Sequence, residues 1–187
     1  MAVIDTVTTE TEEKKKTLAE ILAEAGHSTD TDDIKHILIK YMQKDTRKLE
    51  IDETGVSDWI DVYSDAELEI MPGQHVLIPL GFCAQLPKGY EAHLAARSSL
   101  FKSTGLLVAN GVGVIDESYC GDNDEWKLSV WNTGIARSPD SNFGGVFIHR
   151  GDKIAQFRIM KKMPTIHLVE VETLDNIDRG GFGSTGN

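Results

Sequence analysis

The stretch Gly111-Val-Gly-Val-Ile-Asp116-Glu-Ser-Tyr119-Cys-Gly121 has the pattern of a β-hairpin. Its glycines frame a short apolar strand, which delivers one carboxylate and one aromatic ring to a turn. By itself, this stretch indicates no more than an ordinary hairpin. Outward from it, short apolar runs separated by glycine or proline continue through the C-terminal two thirds of the chain, so the stretch is one part of a larger β-structure.

The apolar pattern predicts eight further strands, at residues 36–43, 59–63, 75–80, 90–97, 106–110, 126–131, 153–160 and 166–171. Many short strands at this spacing favour an all-β barrel or jelly roll, closed so that few strand edges are exposed. Periodicity leaves open whether the leucine-rich stretch 99–108 is all strand or a helical turn entering a strand.

Composition restricts the kinds of partner. The chain has 187 residues, with 30 acidic and 19 basic side chains and a formal net charge of −11. Apolar residues make up 40% and charged residues 26%, which is typical of a folded globular protein. Because an acidic surface repels nucleic-acid backbones, we expect no nucleic-acid partner. A small anionic ligand bound at a local cluster of bases remains compatible with this charge.

The same composition predicts a cytoplasmic protein. No apolar run approaches the ~18 residues that a membrane span needs, and the N-terminus lacks the basic and apolar regions of a signal peptide. We therefore expect no membrane partner. Cys83 and Cys120 form no CxxC pair and are expected to be reduced thiols. The six histidines show no HxxxH or HExxH spacing, so none is assigned a catalytic role.

Three regions are predicted along the chain. Residues 1–33 form an acidic N-terminal extension, in which 11–26 has the pattern of a short helix and 27–33 that of a linker. Residues 34–174 form the β domain. Residues 175–187 are too rich in glycine for a stable strand or helix and are predicted to be a flexible C-terminal segment.

Three more polar segments carry chemistry, although each is ambiguous alone. Arg97-Ser98-Ser99 offers one permanent cation and two hydroxyls, which suits phosphate oxygens. The segment Arg150-Gly-Asp-Lys-Ile-Ala-Gln156 reads as a turn followed by a strand, and the tail ends in Arg179-Gly-Gly-Phe182-Gly-Ser-Thr-Gly186. What distinguishes these segments from chance is their order along the chain, together with the Asp61 strand and the hairpin that starts at Gly111.

In this order the segments resemble the motifs of the trimeric dUTPase family, the dUTP pyrophosphatases, across roughly the last 150 residues. The resemblance implies a β jelly roll assembled as a homotrimer, with three active sites formed between subunits. The implied reaction converts dUTP and water to dUMP and pyrophosphate, with Mg²⁺ bound to the triphosphate.

The resemblance also implies residue roles. Asp116 resembles the general base that activates the attacking water, a task that suits an ionised carboxylate within hydrogen-bond reach of it. Asp61 matches the aspartate that acts on magnesium through its water shell. Tyr119 resembles the tyrosine that packs on deoxyribose and excludes a 2′-hydroxyl. The substrate-binding residues implied by the resemblance are Arg97, Ser98, Ser99, Asn110, Gly113, Ile115, Tyr119, Gln156, Arg179, Gly181, Phe182, Gly183, Ser184 and Thr185.

Within this set, the resemblance implies that Asn110 and the hairpin backbone face uracil and that Phe182 covers it. It also implies a phosphate clamp of Arg97, Ser98 and Gln156, next to Ser99, which replaces the glycine found in many relatives. The sequence departs from the family pattern in three ways. Trp59 stands where a small residue is usual, the tail has two fewer residues between arginine and phenylalanine, and extra residues occur at 122–125 and 135–145. These insertions and the extension 1–33 are either bland additions or surfaces for a protein partner.

Two alternatives belong to different functional classes. A dCTP deaminase-like enzyme shares the implied fold, but its chemistry needs a glutamate where Ser129 stands. A nucleotide-dependent regulatory binding protein would use the N-terminal extension or the insertions to contact its partner, and this role could coexist with catalysis.

Overall fold

The computed structural model describes residues 20, 23, 35–135 and 145–178. By its internal packing the chain falls into two units, residues 1–36 and 37–187. In the first unit, Glu20 and Ala23 have helical backbone, and the rest of the predicted helix 11–26 lies outside the described residues. No helix among the described residues is long and apolar enough to cross a membrane.

The second unit is built from strands and one short helix. In chain order the elements are β1 (Leu38–Tyr41), β2 (Ile60–Tyr63), β3 (Leu68–Ile70), β4 (His75–Pro79), β5 (Phe82–Gln85), β6 (Tyr90–Ala96), α1 (Leu100–Thr104), β7 (Leu106–Val108), β8 (Gly113–Ile115), β9 (Lys127–Asn132), β10 (Val146–Ile148) and β11 (Lys153–Lys161). The prediction of an all-β structure is confirmed.

All strand pairs are antiparallel. The largest sheet has the order β2-β11-β6-β8, a second has the order β4-β9-β7, and two strand pairs, β1-β5 and β3-β10, complete the set. Among the described strands, no two neighbours in a sheet follow one another in sequence, which is typical of β-structures with long connections between sheets. Residues far apart in sequence are therefore brought side by side in the first sheet.

One hydrophobic core lies between the sheets. Trp126 is its largest fully buried side chain, and its ring lies 5.1 Å from the rings of both Phe82 and Phe157. Leu94 and Ile154, from β6 and β11, belong to the same buried cluster. Because these strands are buried on one face, their register is fixed, since a slip by one residue would turn the apolar side chains to solvent. The core therefore fixes the positions of the polar residues between them.

Most predicted strands are present, with each end within two residues of the prediction. Three short strands, β3, β5 and β10, were not predicted, because three or four residues give too little alternation to identify a strand. In the stretch 99–108 the structure has a helical turn, α1, followed by β7. Gly105 ends the helix in the left-handed conformation, with φ of 76°.

The strand predicted at 166–171 is wrong. This segment has no regular secondary structure, and no strand of the described residues pairs with it. Its apolar side chains are exposed, Leu168 at 95% and Val169 at 78%. The segment is rich in apolar residues, but a strand needs a hydrogen-bonding neighbour, and none is present among the described residues.

Candidate active site

Strand register brings Asp61 and Gln156 together, although they are far apart in sequence. Gln156 in β11 lies opposite Asp61 of β2 on one side and opposite Ala95 of β6 on the other. Residues directly opposite each other in a sheet point to the same face. The side-chain amide of Gln156 donates to the carbonyl oxygen of Ala96 at 3.4 Å, beside the point where Arg97 leaves β6.

The carboxylate of Asp61 holds two cations. Arg97 Nε lies 2.9 Å from Asp61 Oδ1, and Lys153 Nζ lies 2.8 Å from Asp61 Oδ2. The hydrogen bond to Asp61 raises the pKa of Lys153, so this amine stays charged over a wide pH range. We call Asp61, Arg97, Lys153 and Gln156 the cationic cluster. Its groups are partly exposed, and together they offer an anion two positive charges against one negative charge.

Lys153 was not among the predicted site residues. Lys153 is the first residue of β11, three positions before Gln156. This spacing in the sequence does not indicate that both residues lie near Asp61. The register contains a bulge between Lys153 and Ala155, which alters the alternation of side chains along β11. A sequence pattern that assumes regular alternation therefore does not identify Lys153.

Ser98 and Ser99 follow Arg97 in the turn that leads from β6 into α1. The backbone N–H of Leu100 donates to the carbonyl oxygen of Arg97 at 3.0 Å, which closes this turn. Both serines are exposed, and the hydroxyl of Ser99 makes no capping hydrogen bond to the helix. The two predicted hydroxyls therefore lie next to the cationic cluster.

The predicted hairpin is wrong, because no two consecutive strands of the described residues pair with each other here. The strand of the motif, β8, pairs with β6, whereas the preceding strand, β7, pairs with β9, so the connection at Gly111 crosses from one sheet to another. Asn110 lies at the exposed tip, where Gly111 adopts φ of 73° and its N–H donates to the carbonyl oxygen of Val108 at 3.0 Å. Gly113 lies against Leu94, and a Cβ at this position would be 3.3 Å from Leu94 Cβ.

Asp116 follows β8 directly. Its side chain is exposed, and its carboxylate has no hydrogen-bond or ion-pair partner among residues 35–135 and 145–178. The N–H of Tyr119 donates to the Asp116 carbonyl oxygen at 3.0 Å, which forms a turn. Asp116, Ile115 and Tyr119 line one cavity of about 420 Å³ together with Leu77. We call Asn110, Gly113, Ile115, Asp116 and Tyr119 the hairpin cluster.

The ring of Tyr119 is held at its hydroxyl end. Tyr119 Oη donates to the carbonyl oxygen of Glu125 at 3.2 Å. Partial burial, with smaller contributions from the negative charges of Asp124 and Glu125, raises the pKa of Tyr119. The phenol therefore remains a protonated donor at neutral pH.

Asp116 and Arg97 lie at opposite ends of β6, whereas Gly113 of the hairpin cluster lies opposite Leu94, near the middle of the strand. Ile115 pairs with Ala92, which places Asp116 level with Glu91 near the start of β6, whereas Arg97 follows its end. At ~3.3 Å per residue, the six residues from 91 to 97 span about 20 Å. Asp61 lines a separate cavity of about 570 Å³ with Lys153, Trp59 and Tyr63. One chain thus does not bring all predicted site residues together.

The described residues contain no ready-made metal cage. Among 35–135 and 145–178, no three His, Cys, Asp or Glu side chains are grouped closely enough to bind a metal ion. Asp61 is the predicted metal residue, and both of its oxygens already contact cations. This donor set fits a magnesium ion held mainly by substrate phosphates and water, since Mg²⁺ keeps several waters and needs few protein carboxylates.

Six predicted residues lie outside the described residues: Arg179, Gly181, Phe182, Gly183, Ser184 and Thr185. Most of the predicted insertion at 135–145 lies outside as well, since residues 136–144 are not described. The insertion at 122–125 is described and packs on its own chain, where Lys40 Nζ donates to the Asp122 carbonyl oxygen at 2.8 Å.

Comparison with known proteins identifies the family. The sequence model of the dUTPase family matches residues 59–186. The chain is 44% identical over 150 residues to the SPβ prophage-derived deoxyuridine 5′-triphosphate nucleotidohydrolase YosS of Bacillus subtilis (strain 168), covering 80% of this chain and 97% of YosS. It is 34% identical over 152 residues to the deoxyuridine 5′-triphosphate nucleotidohydrolase of Finegoldia magna, covering 79% of this chain and 98% of that protein.

A solved structure shares the fold. The dUTPase of Staphylococcus bacteriophage 80alpha with dUPNHPP superimposes with a TM-score of 0.66 at 22% identity, covering 81% of this chain and 99% of that one. The family match includes both the cationic cluster and the hairpin cluster, which confirms the family predicted from the order of the motifs. The chain belongs to the dUTPase family.

Proposed function

We propose that this protein hydrolyses dUTP to dUMP and pyrophosphate, at sites formed between the subunits of a homotrimer. The observation that carries the proposal is the Asp116 carboxylate, which is exposed, without a partner among the described residues, and in the same cavity as the Tyr119 ring. A carboxylate in this state is free to accept a proton from water. The motif order and the family match supply the substrate.

In the proposed mechanism, Asp116 accepts a proton from a water molecule while the water oxygen attacks the α-phosphorus of dUTP. The bond between the α-phosphorus and the bridging oxygen breaks, and pyrophosphate leaves. The Tyr119 ring packs against the deoxyribose, where a 2′-hydroxyl would collide with it. This contact favours dUTP over UTP.

Uracil binds at the exposed turn between β7 and β8. The Asn110 amide and the backbone groups at Gly113 and Ile115 offer directional hydrogen bonds to the base edge. A base with the opposite donor and acceptor pattern would leave these groups unpaired, and unpaired polar groups are costly when buried. Cytosine is therefore rejected.

The triphosphate binds at the cationic cluster. Arg97 and Lys153 supply positive charge, Gln156 an amide, and the adjacent Ser98 and Ser99 two hydroxyls. Bound magnesium would neutralise charge on the triphosphate, with Asp61 contacting its hydration water. Because Asp61 already positions both cations, their side chains need little rearrangement when the phosphates arrive.

Two observations support the trimer. Asp116 and Arg97 lie about 20 Å apart along β6, which favours a site that takes each of them from a different subunit. The segment after β11 also exposes apolar side chains, among them Leu174 at 80% and Ile177 at 98%. Extended apolar surface of this kind is typical of a segment that packs against another subunit.

The C-terminal residues 175–187 are proposed to act as a lid. In this role Phe182 covers uracil, and Arg179, Gly181, Gly183, Ser184 and Thr185 contact the phosphates or shape the turn around them. Residues 1–33 and 34–174 remain proposed as an extension and the β domain. A protein partner at the extension or at residues 135–145 is compatible with this arrangement, whereas residues 122–125 already pack on their own chain.

The deaminase alternative lacks the glutamate that its reaction needs. Ser129 stands where that enzyme needs a glutamate, and Ser129 Oγ is hydrogen bonded to His75 Nε2 at 2.8 Å. No carboxylate is supplied by either residue. A hydroxyl and an imidazole already paired with each other do not replace a general-base glutamate.

The proposal is tested by a comparison of four nucleotides. The protein is incubated with dUTP, dCTP, UTP or dTTP and Mg²⁺, and pyrophosphate and ammonia are measured separately. We expect pyrophosphate from dUTP and little from the other three. Ammonia from dCTP would support deamination instead, and the absence of turnover with all four would leave a regulatory binding role.

A further inference from the structure

We propose that the inserted turn 121–125 is a positioning device for Tyr119 and thereby sets the discrimination between dUTP and UTP. The inference rests on the proposed role of Tyr119 in excluding a 2′-hydroxyl. It goes further by assigning a function to an insertion that separates this chain from the usual family pattern, and by naming Glu125 as a positioning residue.

The Tyr119 side chain needs a fixed position for the proposed discrimination. A ring that excludes a hydroxyl by volume must be held in place, because a freely rotating ring would swing away from the sugar. Tyr119 is 42% exposed, so packing alone does not fix it. Its hydroxyl end is also held by the hydrogen bond from Oη to the Glu125 carbonyl oxygen at 3.2 Å. The acceptor belongs to the insertion.

The insertion is itself closed at its base. Gly121 N–H donates to Asp124 Oδ2 at 2.7 Å, and Asp124 N–H donates to the Gly121 carbonyl oxygen at 3.1 Å. These two bonds form a compact turn that returns the chain toward Tyr119. Asn123 lies at the tip of the turn and is exposed.

The turn is then fastened to β1 and β5. The Asp122 carbonyl oxygen accepts from Lys40 Nζ at 2.8 Å and from the Cys83 thiol at 3.4 Å. Burial raises the pKa of Cys83, so the thiol keeps the proton that it donates. These contacts hold the first half of the turn.

Glu125 fastens the second half. Its carboxylate oxygen Oε1 accepts from the Gly81 N–H at 3.1 Å, and the next residue, Trp126, is locked into the core by its N–H donating to the Phe82 carbonyl oxygen at 2.9 Å. Gly81 has φ of 76°, and a Cβ here would come within 2.6 Å of Asp65 Cγ. The Gly81 N–H is therefore held in a fixed position. Its hydrogen bond positions Glu125, whose carbonyl oxygen accepts from the Tyr119 hydroxyl.

The experiment measures kcat/KM for dUTP and for UTP in the full-length protein and in five variants. Tyr119→Ala removes the ring, Tyr119→Phe removes only the hydroxyl, Glu125→Ala removes the anchor, and Glu125→Gln keeps an oxygen that accepts from Gly81. Asn123→Ala is the matched control in the same turn.

In Tyr119→Ala we expect the ratio of kcat/KM for dUTP to kcat/KM for UTP to fall strongly. In Tyr119→Phe and Glu125→Ala it should fall about two- to tenfold, the range that one net hydrogen bond supports, mainly through better turnover of UTP. Glu125→Gln should restore most of the ratio, and Asn123→Ala should match the wild type.

The outcomes separate the inference from the proposed function. An unchanged ratio in Tyr119→Ala would remove the role of the ring, on which the inference rests. A collapse in Tyr119→Ala with unchanged ratios in Tyr119→Phe and Glu125→Ala would overturn the positioning role alone, as would an equal loss for both substrates in Glu125→Ala. If Glu125→Ala does not fold, Tyr119→Phe decides.

Discussion

The cationic cluster and the hairpin cluster both lie along the strand β6 and differ in how many of their polar groups have hydrogen-bond or ion-pair partners. In the cationic cluster, Asp61 holds Arg97 and Lys153 within 2.9 Å. In the hairpin cluster, the Asp116 carboxylate is exposed and has no partner among residues 35–135 and 145–178.

This difference separates binding from chemistry. The cations that would meet a triphosphate are positioned in advance, which limits the reorganisation needed when the substrate arrives. The proposed base keeps both carboxylate oxygens available for water. Since about 20 Å of β6 separates Asp116 from Arg97 within one chain, an interface between subunits is what would combine them into one site.

Asp116→Asn should cause the largest loss of dUTP turnover, because it removes the proposed general base while it preserves the size of the side chain. We expect kcat for dUTP to fall ~10²- to 10⁴-fold, with dUTP affinity nearly retained. The control is Glu117→Gln, the adjacent carboxylate, which bonds to Lys162 and should keep near-normal turnover. Near-normal turnover in Asp116→Asn would contradict the mechanism.

Arg97→Ala should weaken the opposite cluster. It leaves Lys153 on Asp61 but removes the guanidinium that would contact phosphate, so we expect kcat/KM to fall about ten- to hundredfold. Steady-state kinetics on dUTP measure the change. Arg158→Ala, on the same strand as Gln156, is the matched loss of a guanidinium and should have little effect. Equal losses in both variants would show that bulk charge, not this cluster, binds the nucleotide.

Phe182→Ala tests the proposed lid, which belongs to neither cluster. Ordering a glycine-rich segment costs ~1–2 kcal/mol of backbone entropy per residue, and stacking on uracil must offset that cost. Loss of one base-stacking contact typically costs ~1–3 kcal/mol, so we expect dUTP turnover to fall about tenfold. Because the spacing from Arg179 to Phe182 is two residues short, Arg179→Ala should cost less.

Truncation after Asp178 removes the whole proposed lid. It should reduce dUTP turnover and leave trimer assembly intact. Light scattering and dUTP turnover measure the two properties on the same sample. Full activity after truncation would remove the tail residues from the site.

Glu117→Gln should have the smallest effect, on stability only. Lys162 lowers the pKa of Glu117 below its ordinary value of 4.5, so this pair stabilises the fold above pH 4.5 and loses its effect as the pH falls through the lowered folded value. Melting temperatures should therefore be slightly lower in the variant near neutral pH and equal to the wild type in strong acid. A difference that persisted in acid would assign the effect to packing.

The order of the motifs predicted the family and most of the candidate site, because those segments are local in sequence. Arg97, Ser98 and Ser99 are consecutive, and Asp116 and Tyr119 belong to one turn. Contacts between distant segments were not accessible in this way. Lys153 reaches Asp61 across 92 positions through a bulged strand, and no local pattern contains that pairing.

The wrong strand at 166–171 has a related cause. Frequent apolar residues show that a segment is suited to burial, but not what covers it. Leu168 and Val169 are both exposed, and no strand among the described residues pairs with them. Conversely, β3 and β10 pair with each other in the structure but are too short to be recognised alone.

The site shared between subunits is tested most directly by mixing Asp116→Asn and Arg97→Ala chains, unfolded together in equal amounts and refolded. Each variant alone has an incomplete site everywhere, but a mixed trimer can combine an intact cationic cluster with an intact hairpin cluster from its neighbour. Random assembly should restore about a quarter of wild-type activity, since half of the subunits supply each cluster. Activity no higher than that of the separate variants, in trimers shown to be mixed, would place both clusters of each site in one chain and contradict the account.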